Sequence, residues 1–346
     1  MTAPRVSVIC ASYNHERYVE AAISSVLAQS FADFELVVVD DGSSDGTAAR
    51  VAAIADPRVS LHALPRNEGA CAAMNHAIRR ARGEYVAVLN SDDLFLPGKL
   101  ERQVAILDAE PDVGAVFTHP TFIDERGAPL DDEQHKDTVL LRTRDQPRRA
   151  WLRQLFREGN CLCHPSVLIR RRVYDEVGLL EPAMAQLPDL DLWVRVLQRF
   201  EIRIVAEPLV AFRIRDNQAN ASAARPEVLV RDAFEQRIVL RRYLALPDDE
   251  VERVFPEAPA GDRGLPVAWR IGRLALELKR PSAVQFGLEA MFDALQRVAD
   301  PARHREFIAI SGTFDPLGTL APIPPDRRLA PPKPVFQPKN FTIDWM

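Results

Sequence analysis

The chain has 346 residues, of which 47 % are hydrophobic and 27 % charged, an ordinary globular composition that allows a sizeable core and more than one average domain. Its formal net charge of -5 argues against a general nucleic-acid binder, which should carry a basic excess. No apolar run approaches the roughly 20 residues of a membrane-spanning helix, and the N-terminus lacks a secretory signal pattern, so we expect a cytoplasmic protein whose surface could contact the inner face of a membrane peripherally.

Short apolar segments alternate with helix-like segments over the first third of the chain. Four of the apolar segments are rich in β-branched residues and are predicted to be buried strands. They are Val6–Ala11, Phe34–Val39, Val59–Leu64 and Glu84–Asn90. Because helices separate them, these strands are expected to form a mostly parallel, Rossmann-like sheet with right-handed crossovers. In such sheets ligands bind beyond the carboxyl ends of the strands.

Polar side chains follow three of the predicted strands at the point where each strand ends. The clusters are Ser12–Asn14, Asp40–Gly42 and Asn90–Asp93. In a parallel sheet all three lie on one edge, where neighbouring carboxylates repel each other unless a cation or a proton intervenes. Oxygen ligands of this kind suit Mg²⁺ or Mn²⁺, so the pattern indicates a divalent metal that in turn holds a diphosphate. Taken singly, each cluster also fits a helix N-cap or a turn, and that alternative stays open.

The four cysteines do not form the framework of a disulfide-stabilised protein in a chain of this length. Cys161, Cys163 and His164 lie close together in sequence, but zinc signatures have a wider spacing and a second pair of ligands. We therefore interpret the cysteines as reduced residues near a core.

The second half of the chain mixes strands and helices. Val113–Asp124 is predicted to be a strand, Leu190–Phe200 an amphipathic helix, and Glu201–Arg215 a hairpin with Pro208 near its turn. A composition change near Asn217–Pro226 marks a boundary, beyond which the pattern is helical until prolines become frequent. The predicted organisation is a domain over 1–220 with halves 1–110 and 111–220, a C-terminal helical extension over 221–312, and a proline-rich tail over 313–346.

Two longer stretches carry a resemblance to a known family. The nucleotide-sugar domain of family 2 glycosyltransferases is similar, in the same order, to VSVICASYNHERYVEAAISSVLAQSFADFELVVVDDGSSDGT and NEGACAAMNHAIRRARGEYVAVLNSDD, and the resemblance covers residues 5–215. It implies the GT-A fold, an α/β fold with a mostly parallel central sheet flanked by helices. It also implies inverting transfer of a sugar from a nucleoside-diphosphate sugar to a hydroxyl of a glycan or lipid-linked acceptor, in polysaccharide biosynthesis. The expected cofactor is a divalent metal, Mn²⁺ or Mg²⁺.

The resemblance assigns donor-site roles to residues at the predicted strand ends. One loop packs on the nucleotide base, an acid pair contacts base and ribose, and an Arg-Asn-x-Gly segment lies beside the nucleotide. The residues that match these three elements in turn are Ala11, Ser12 and Tyr13; Asp40 and Asp41; and Arg66, Asn67 and Gly69.

The family's Asp-Ser-Asp-Asp motif is matched by Asn90, Ser91, Asp92 and Asp93. Asn90 stands in place of the first aspartate; its amide can still bind a ribose hydroxyl but brings no charge. The resemblance therefore places the metal on Asp92 and Asp93.

Two arginines follow near the end of the matched domain. Arg215 stands where many relatives have a histidine. Because arginine cannot ligate a cation, the third metal ligand of those relatives has no match here. Arg213 or Arg215 is expected instead to offset the charge of the diphosphate.

The acceptor side is assigned from the segment LPDLDLWVRV, which resembles the family's Glu-Asp-Tyr-Asp-Leu-Trp segment. The resemblance makes Asp189 the catalytic base and Asp191 a second carboxylate on the acceptor side, while Pro188 replaces the family's glutamate. His164–Ser166 are expected to line the approach of the acceptor. The alternative for this segment is an ordinary helix start, with proline at an early position and aspartate near the positive end of the helix.

Two other classes of protein are alternatives to an active transferase. A non-catalytic subunit that binds sugar nucleotides would need Asp40 and Asp41 but not Asp189. A dinucleotide-binding oxidoreductase would need a glycine-rich turn after the first strand, and CASYNHERY contains no glycine there.

Overall fold

The computed structural model describes residues 3–131, 140–215, 225–297 and 300–313. Within these ranges the strands, numbered β1 to β8, are Val6–Ser12, Phe34–Asp40, Val59–Ala63, Tyr85–Asn90, Leu94–Phe95, Val113–Ile123, Leu168–Arg170 and Glu201–Arg213. The helices, numbered α1 to α12, are Val19–Leu27, Thr47–Ala52, Ala70–Arg80, Lys99–Ala109, Arg148–Glu158, Arg171–Val177, Pro188–Leu197, Pro226–Arg242, Asp248–Val254, Val267–Glu277, Pro281–Leu295 and Pro301–Ser311. Short 3₁₀ turns lie at His164–Ser166, Tyr243–Ala245 and Ala260–Asp262.

The described strands form one mixed sheet in the order β3-β2-β1-β4-β7-β6-β8-β5. Strands β1 to β4 are parallel, whereas β7 is antiparallel to both of its neighbours, β4 and β6. Since β6 and β8 are parallel to each other, they run in the same direction as β1. The carboxyl ends of β1, β2, β4, β6 and β8 therefore share one edge, and the predicted α/β fold with a mostly parallel sheet is confirmed.

The predicted hairpin over Glu201–Arg215 is wrong, because β8 is one continuous strand that pairs with β6 along its length. Pro208 lies opposite His119, at the point where the register shifts between the two strands. A bulge there accommodates the residue that cannot donate to the ladder. Leu94 and Phe95 pair with the last residues of β8 on its other side, which draws the segment after β4 towards Arg213.

Both faces of the sheet are covered, which explains why its strands are apolar without alternation. Val37 and Val39 of β2 pack into the core on one face, and Leu36 and Val38 into the core on the other. The first core includes the apolar side of α3, and the second includes Val19–Leu27. The alternating directions of successive side chains along each strand thus supply both cores.

Helices α8 to α11 contribute to the first of these cores. Leu240, Tyr243 and Phe255 belong to the same buried cluster as Trp151 and Trp193 of the sheet domain. The predicted limit at 220 and the proline-rich stretch 314–346 lie outside the described residues, so those limits stay predictions. Across the described ranges, no helix is both long and apolar enough to cross a bilayer.

A lysine is buried inside the sheet domain. The side chain of Lys99 has no exposed surface; its Nζ donates to Gln103 Oε1 at 2.9 Å and lies 4.1 Å from the centre of the Phe95 ring. Gln103 in turn donates to the backbone oxygens of Val116 and Ser166. Burial penalises the charged ammonium and lowers the pKa of Lys99 from 10.5 to about 7.

This lysine should make the free energy of unfolding depend on pH. Between about pH 7 and pH 10.5 the unfolded chain binds a proton at Lys99 that the folded chain does not, so raising the pH stabilises the fold. We expect the stability of the wild type relative to Lys99→Met to increase steadily across that window, as measured by urea unfolding at several pH values. Arg102→Met, on the exposed side of the same helix, should show no such trend, and a constant difference for Lys99→Met would contradict the shift.

Candidate active site

The predicted polar clusters meet at the carboxyl edge of the sheet. Ser12 pairs with Asp40 across β1 and β2, and Ala11 pairs with Asn90 across β1 and β4. On the far side of β7, the end of β8 brings Arg213 to the same edge. Segments separated by up to two hundred residues therefore surround one rim.

The acid pair after β2 fixes the loops on the donor side. Asp40 accepts hydrogen bonds from the backbone N–H and the hydroxyl of Ser43, at 2.9 and 2.5 Å. Asp41 accepts the backbone N–H groups of Glu68 and Gly69, at 2.7 and 3.0 Å, and so holds the start of α3 against the end of β2. Both carboxylates are buried. Their observed bonds favour a role in shaping the loops.

Gly42 allows two loops to approach each other closely. Its φ is +68°, and a Cβ built there would lie 2.5 Å from the carbonyl carbon of Arg66. A side chain at this position would push the 66–69 segment away from β2. As folded, the segment leaves Arg66 and Asn67 exposed at the rim, and Tyr13 presents an aromatic ring that is 44 % exposed.

The Asn90–Asp93 turn separates two neighbouring carboxylates. Asp93 is buried; one oxygen accepts the amide of Asn90 at 2.9 Å, and the other accepts the backbone N–H of Arg213 at 2.8 Å. Burial and then the charge of Asp92 raise the pKa of Asp93 well above its usual range. The asparagine therefore supplies a donor that an aspartate at position 90 would not.

Asp92 differs from its neighbour. Its side chain is half-buried, and its carboxylate has no hydrogen bond or ion pair with any residue that the structure describes. Its backbone oxygen is held by Arg213 Nε at 2.7 Å, which fixes the turn without occupying the carboxylate. Of the two predicted metal ligands, Asp92 has free oxygens and Asp93 does not.

His15 belongs to the site but was missed from the sequence. Its Nε2 accepts from Arg215 Nη1 at 2.9 Å, so its Nδ1 carries the proton and donates to Ser91 Oγ at 2.7 Å. Burial lowers its pKa, which favours this neutral form. The imidazole thus links the loop after β1 to the Asp-Ser-Asp-Asp-like turn and to Arg215. Its place three residues after the end of β1 was the available signal.

The two arginines at the end of β8 stack near one ring. The guanidinium carbons of Arg213 and Arg215 lie 5.1 and 5.3 Å from the centre of the Tyr18 ring. Arg213 is buried, and its guanidinium also donates to the backbone oxygens of Asp124 and Glu125. These contacts favour a structural role for Arg213, while Arg215 is half-buried beside His15.

Asp189 lies in the first turn of α7, which begins at Pro188, two residues before the helix start predicted from the sequence. One oxygen accepts the amide of Asn160 at 2.5 Å, and the other accepts the backbone N–H of Leu190 at 2.8 Å. Burial raises the pKa of this half-buried carboxyl, although the nearby His164 acts in the opposite direction. A carboxylate of this kind is suited to accepting a proton.

Electrostatic interactions through two nearby segments relate Asp189 to the donor-side loops. Through α3, Cys71 lies two residues after Gly69, donates to the Met184 oxygen at 3.3 Å, and feels the charge of Asp189. In the turn before β7, burial and then the charge of Asp93 raise the pKa of the Cys163 thiol. The adjacent His164 interacts electrostatically with Asp189. The three acidic segments therefore lie around the same region.

The remaining predicted residues on the acceptor side are tied into the core. Pro165 and Ser166 are buried, and Ser166 Oγ donates to the Cys163 oxygen at 2.7 Å and accepts from Thr118 N at 3.1 Å. His164 lies with its ring centre 5.6 Å from that of Trp193. These contacts favour packing over contact with an acceptor.

Asp191 has no exposed surface and is clamped by two arginines. Arg195 Nε donates to one oxygen at 2.9 Å, and Arg242 Nε donates to the other at 2.6 Å. Arg195 also donates to the backbone oxygens of Gly178 and Leu179, directly after α6, and Arg242 belongs to α8. The ion pairs favour a structural role over the expected catalytic one.

Known proteins are similar to this chain over part of its length. A family model, Glycosyl transferase family 2, matches residues 7–178. The protein named "Putative teichuronic acid biosynthesis glycosyltransferase TuaG", of Bacillus subtilis, is 32 % identical over 222 residues, which cover 63 % of this chain and 82 % of that protein. UDP-Glc:alpha-D-GlcNAc-diphosphoundecaprenol beta-1,3-glucosyltransferase WfgD of Escherichia coli is 43 % identical over 102 residues, which cover 30 % of this chain and 40 % of that protein.

Among solved structures, S. aureus TarS 1–349 in complex with UDP-GlcNAc superposes with a TM-score of 0.57 over 89 % of this chain and 92 % of that one. The two are 17 % identical, so this likeness concerns the fold. Sequence similarity and fold together show that the chain belongs to family 2 of the glycosyltransferases, enzymes of the GT-A fold.

Proposed function

We propose that the chain transfers a sugar from a nucleoside-diphosphate sugar to an acceptor hydroxyl, with inversion at the anomeric carbon. One observation carries the proposal. At a single sheet edge, Asp92 offers free carboxylate oxygens. Its neighbour Asp93 interacts electrostatically with Cys163, and the adjacent His164 interacts in the same way with Asp189, a second half-buried carboxyl with a raised pKa. Displacement with inversion needs these two functions on either side of the sugar.

The donor would lie along the loops of the nucleotide side. We infer that the exposed Tyr13 ring stacks on the base, because an aromatic face contributes about 1–3 kcal/mol to such stacking. Asp40 and Asp41 hold the loops that flank it, and Arg66 and Asn67 are exposed where they can contact the ribose or a phosphate.

The residues present fit a divalent metal that is held mainly by the substrate. Among the described residues, no three His, Cys, Asp or Glu side chains come together to hold a metal by themselves. Mg²⁺ and Mn²⁺ commonly take one or two carboxylates and complete their shell with phosphate oxygens and water. Asp92 would be the carboxylate ligand, and Asp93 would fix the turn. When bound, such a metal would help the nucleoside diphosphate to leave by neutralising its charge.

Arg215 would supply additional positive charge beside the diphosphate. Its guanidinium is a planar cation suited to phosphate oxygens, and its contacts with His15 and Tyr18 hold it near the Asn90–Asp93 turn. This cation would stand where many relatives place a histidine.

Asp189 would act as the base on the acceptor side. As the acceptor oxygen forms its bond to the anomeric carbon, the bond from that carbon to the diphosphate oxygen breaks on the opposite face. The hydroxyl proton passes to Asp189, whose pKa burial has moved towards the working pH. Asn160 would keep the carboxylate oriented.

The acceptor is proposed from relatives and not from the geometry. WfgD acts, by its name, on a sugar linked to diphosphoundecaprenol, and TuaG belongs to teichuronic acid biosynthesis. We infer a glycan or lipid-linked acceptor in polysaccharide biosynthesis for this chain also.

Replacing the proposed base should slow transfer strongly and leave donor binding intact. We expect Asp189→Asn to lower kcat by roughly 10²–10⁴-fold, because the amide cannot take the proton. Affinity for the nucleoside diphosphate, measured by calorimetry, should stay near the wild-type value. Asp175→Asn, at an exposed position on α6, is the matched control. Transfer at the wild-type rate would reject Asp189 as the base.

The two neighbouring acids should separate in their effects. A thermal-shift panel of UDP, GDP, dTDP and CDP with Mn²⁺ first identifies the nucleotide that stabilises the fold. Asp92→Asn should then weaken the Mn²⁺-dependent affinity about tenfold or more with little change in Tm, since its carboxylate has no protein partner. Asp93→Leu should instead lower Tm, because it leaves the N–H of Arg213 and the amide of Asn90 without an acceptor.

The opposite pattern would contradict the assignment. If Asp92→Asn leaves affinity unchanged with and without Mn²⁺, Asp92 is not a metal ligand.

A further inference from the structure

A glutamate on α8 binds the segment that leads into α7, the helix that carries Asp189. Glu235 is 3 % exposed, and one of its carboxylate oxygens accepts the backbone N–H of Ala185 at 2.8 Å. The other oxygen accepts the N–H groups of Gln186 and Leu187, at 2.8 and 2.7 Å. These three residues come directly before Pro188, where α7 begins with Asp189 in its first turn.

The chemistry of this contact makes it strong and directional. Three consecutive N–H groups that converge on one carboxylate form an anion-binding nest, and bonds to a charged acceptor are about twice as strong as neutral ones. The N–H of Leu187, at the N-cap of α7, has no intrahelical acceptor of its own, and Glu235 supplies one. A buried carboxylate is costly unless it is fully hydrogen-bonded, and here three donors satisfy it.

The same helix α8 grips α7 at a second point. Arg242 donates to Asp191, two residues after Asp189, at 2.6 Å. Glu235 and Arg242 are seven residues apart, which is about two turns of helix, so their side chains lie on the same side of α8. That side faces both the segment before α7 and α7 itself. Along the chain, Asp189 therefore lies between two contacts that both come from α8.

We propose that Glu235 is a positioning residue that sets the place of Asp189 through the 185–187 segment. The helical region that begins at Pro226 then contributes to the transfer reaction, because it holds the base in position. This inference rests on the proposed role of Asp189 as the base.

The test is steady-state kinetics of Glu235→Gln with a panel of UDP-, GDP- and dTDP-activated sugars in Mn²⁺. Glutamine has nearly the same shape as glutamate. Its NH₂ group, however, would face backbone N–H groups whose hydrogen bonds the carboxylate had accepted. We expect kcat to fall about 10–100-fold, by analogy with other supporting residues behind a reactive group. The KM for the donor and the affinity for the free nucleoside diphosphate should stay within about twofold.

A second readout distinguishes positioning from a merely structural role. The amide of Asn160 lowers the pKa of Asp189, so loosening the start of α7 should weaken that bond and raise the pKa. The acidic limb of the pH–rate profile of Glu235→Gln should therefore move to higher pH. Glu289→Gln breaks the ion pairs of α11 with Arg237 and Arg241 on the same helix α8 and should change neither kcat nor the limb.

The outcomes separate this inference from the function on which it rests. A folded Glu235→Gln variant with wild-type kcat and an unmoved limb overturns the positioning role, and so does a loss that appears in KM and Tm alone. If Glu235→Gln does not fold, Glu235→Asp, which keeps the charge with a shorter reach, is judged by the same two readouts. Activity of Asp189→Asn at the wild-type level would instead overturn the proposed base, whatever Glu235 does.

Discussion

Carboxylates that are taken out of water must be neutralised by donors from the protein, and at this sheet edge that requirement ties together segments far apart in the chain. Asp41 joins the end of β2 to the start of α3 through two backbone N–H groups. Asp93 joins the turn after β4 to the end of β8. Glu235 joins α8 to the segment before α7 in the same manner. Each of these buried acids therefore connects two elements of the fold. The rim keeps its shape because the acids have their hydrogen bonds satisfied.

In each of two pairs of nearby acids, one acid is buried and bonded to the protein, and the other lies towards the rim. In the turn after β4, Asp93 is turned inwards and fully bonded, whereas Asp92 keeps free oxygens. On α7, residues two apart lie on nearly opposite sides of the helix. Asp191 is accordingly buried against Arg195 and Arg242, and Asp189 lies at the other side beside Asn160. In the turn, the bonded Asp93 holds Asp92 in place without occupying its carboxylate. On α7, the ion pairs of Asp191 hold the helix that carries Asp189.

Much of the fold could be predicted from sequence because its signals are local. The apolar strands, the helices between them and the polar residues at three strand ends follow from composition and spacing over a few residues. The hairpin prediction failed because Pro208 signals a turn locally, while pairing with β6 carries the strand past it in a bulge. His15 and Glu235 escaped for the same reason: a histidine in a loop and a glutamate on a helix gain meaning only from Arg215 and from the 185–187 segment, which no local pattern reveals. The partner of Asp191 on α8 was equally distant.

The donor-side loops, the Asp92 turn and Asp189 are expected to serve one pocket, and a crystal structure with Mn²⁺ and the stabilising nucleoside diphosphate tests this most directly. We expect the base beside Tyr13, the metal bonded to Asp92 and to the diphosphate, and the Asp189 carboxylate open to the space beyond the terminal phosphate. A nucleotide bound elsewhere on the chain, or bound at this edge with Asp189 walled off from it by packed side chains, would contradict a shared pocket.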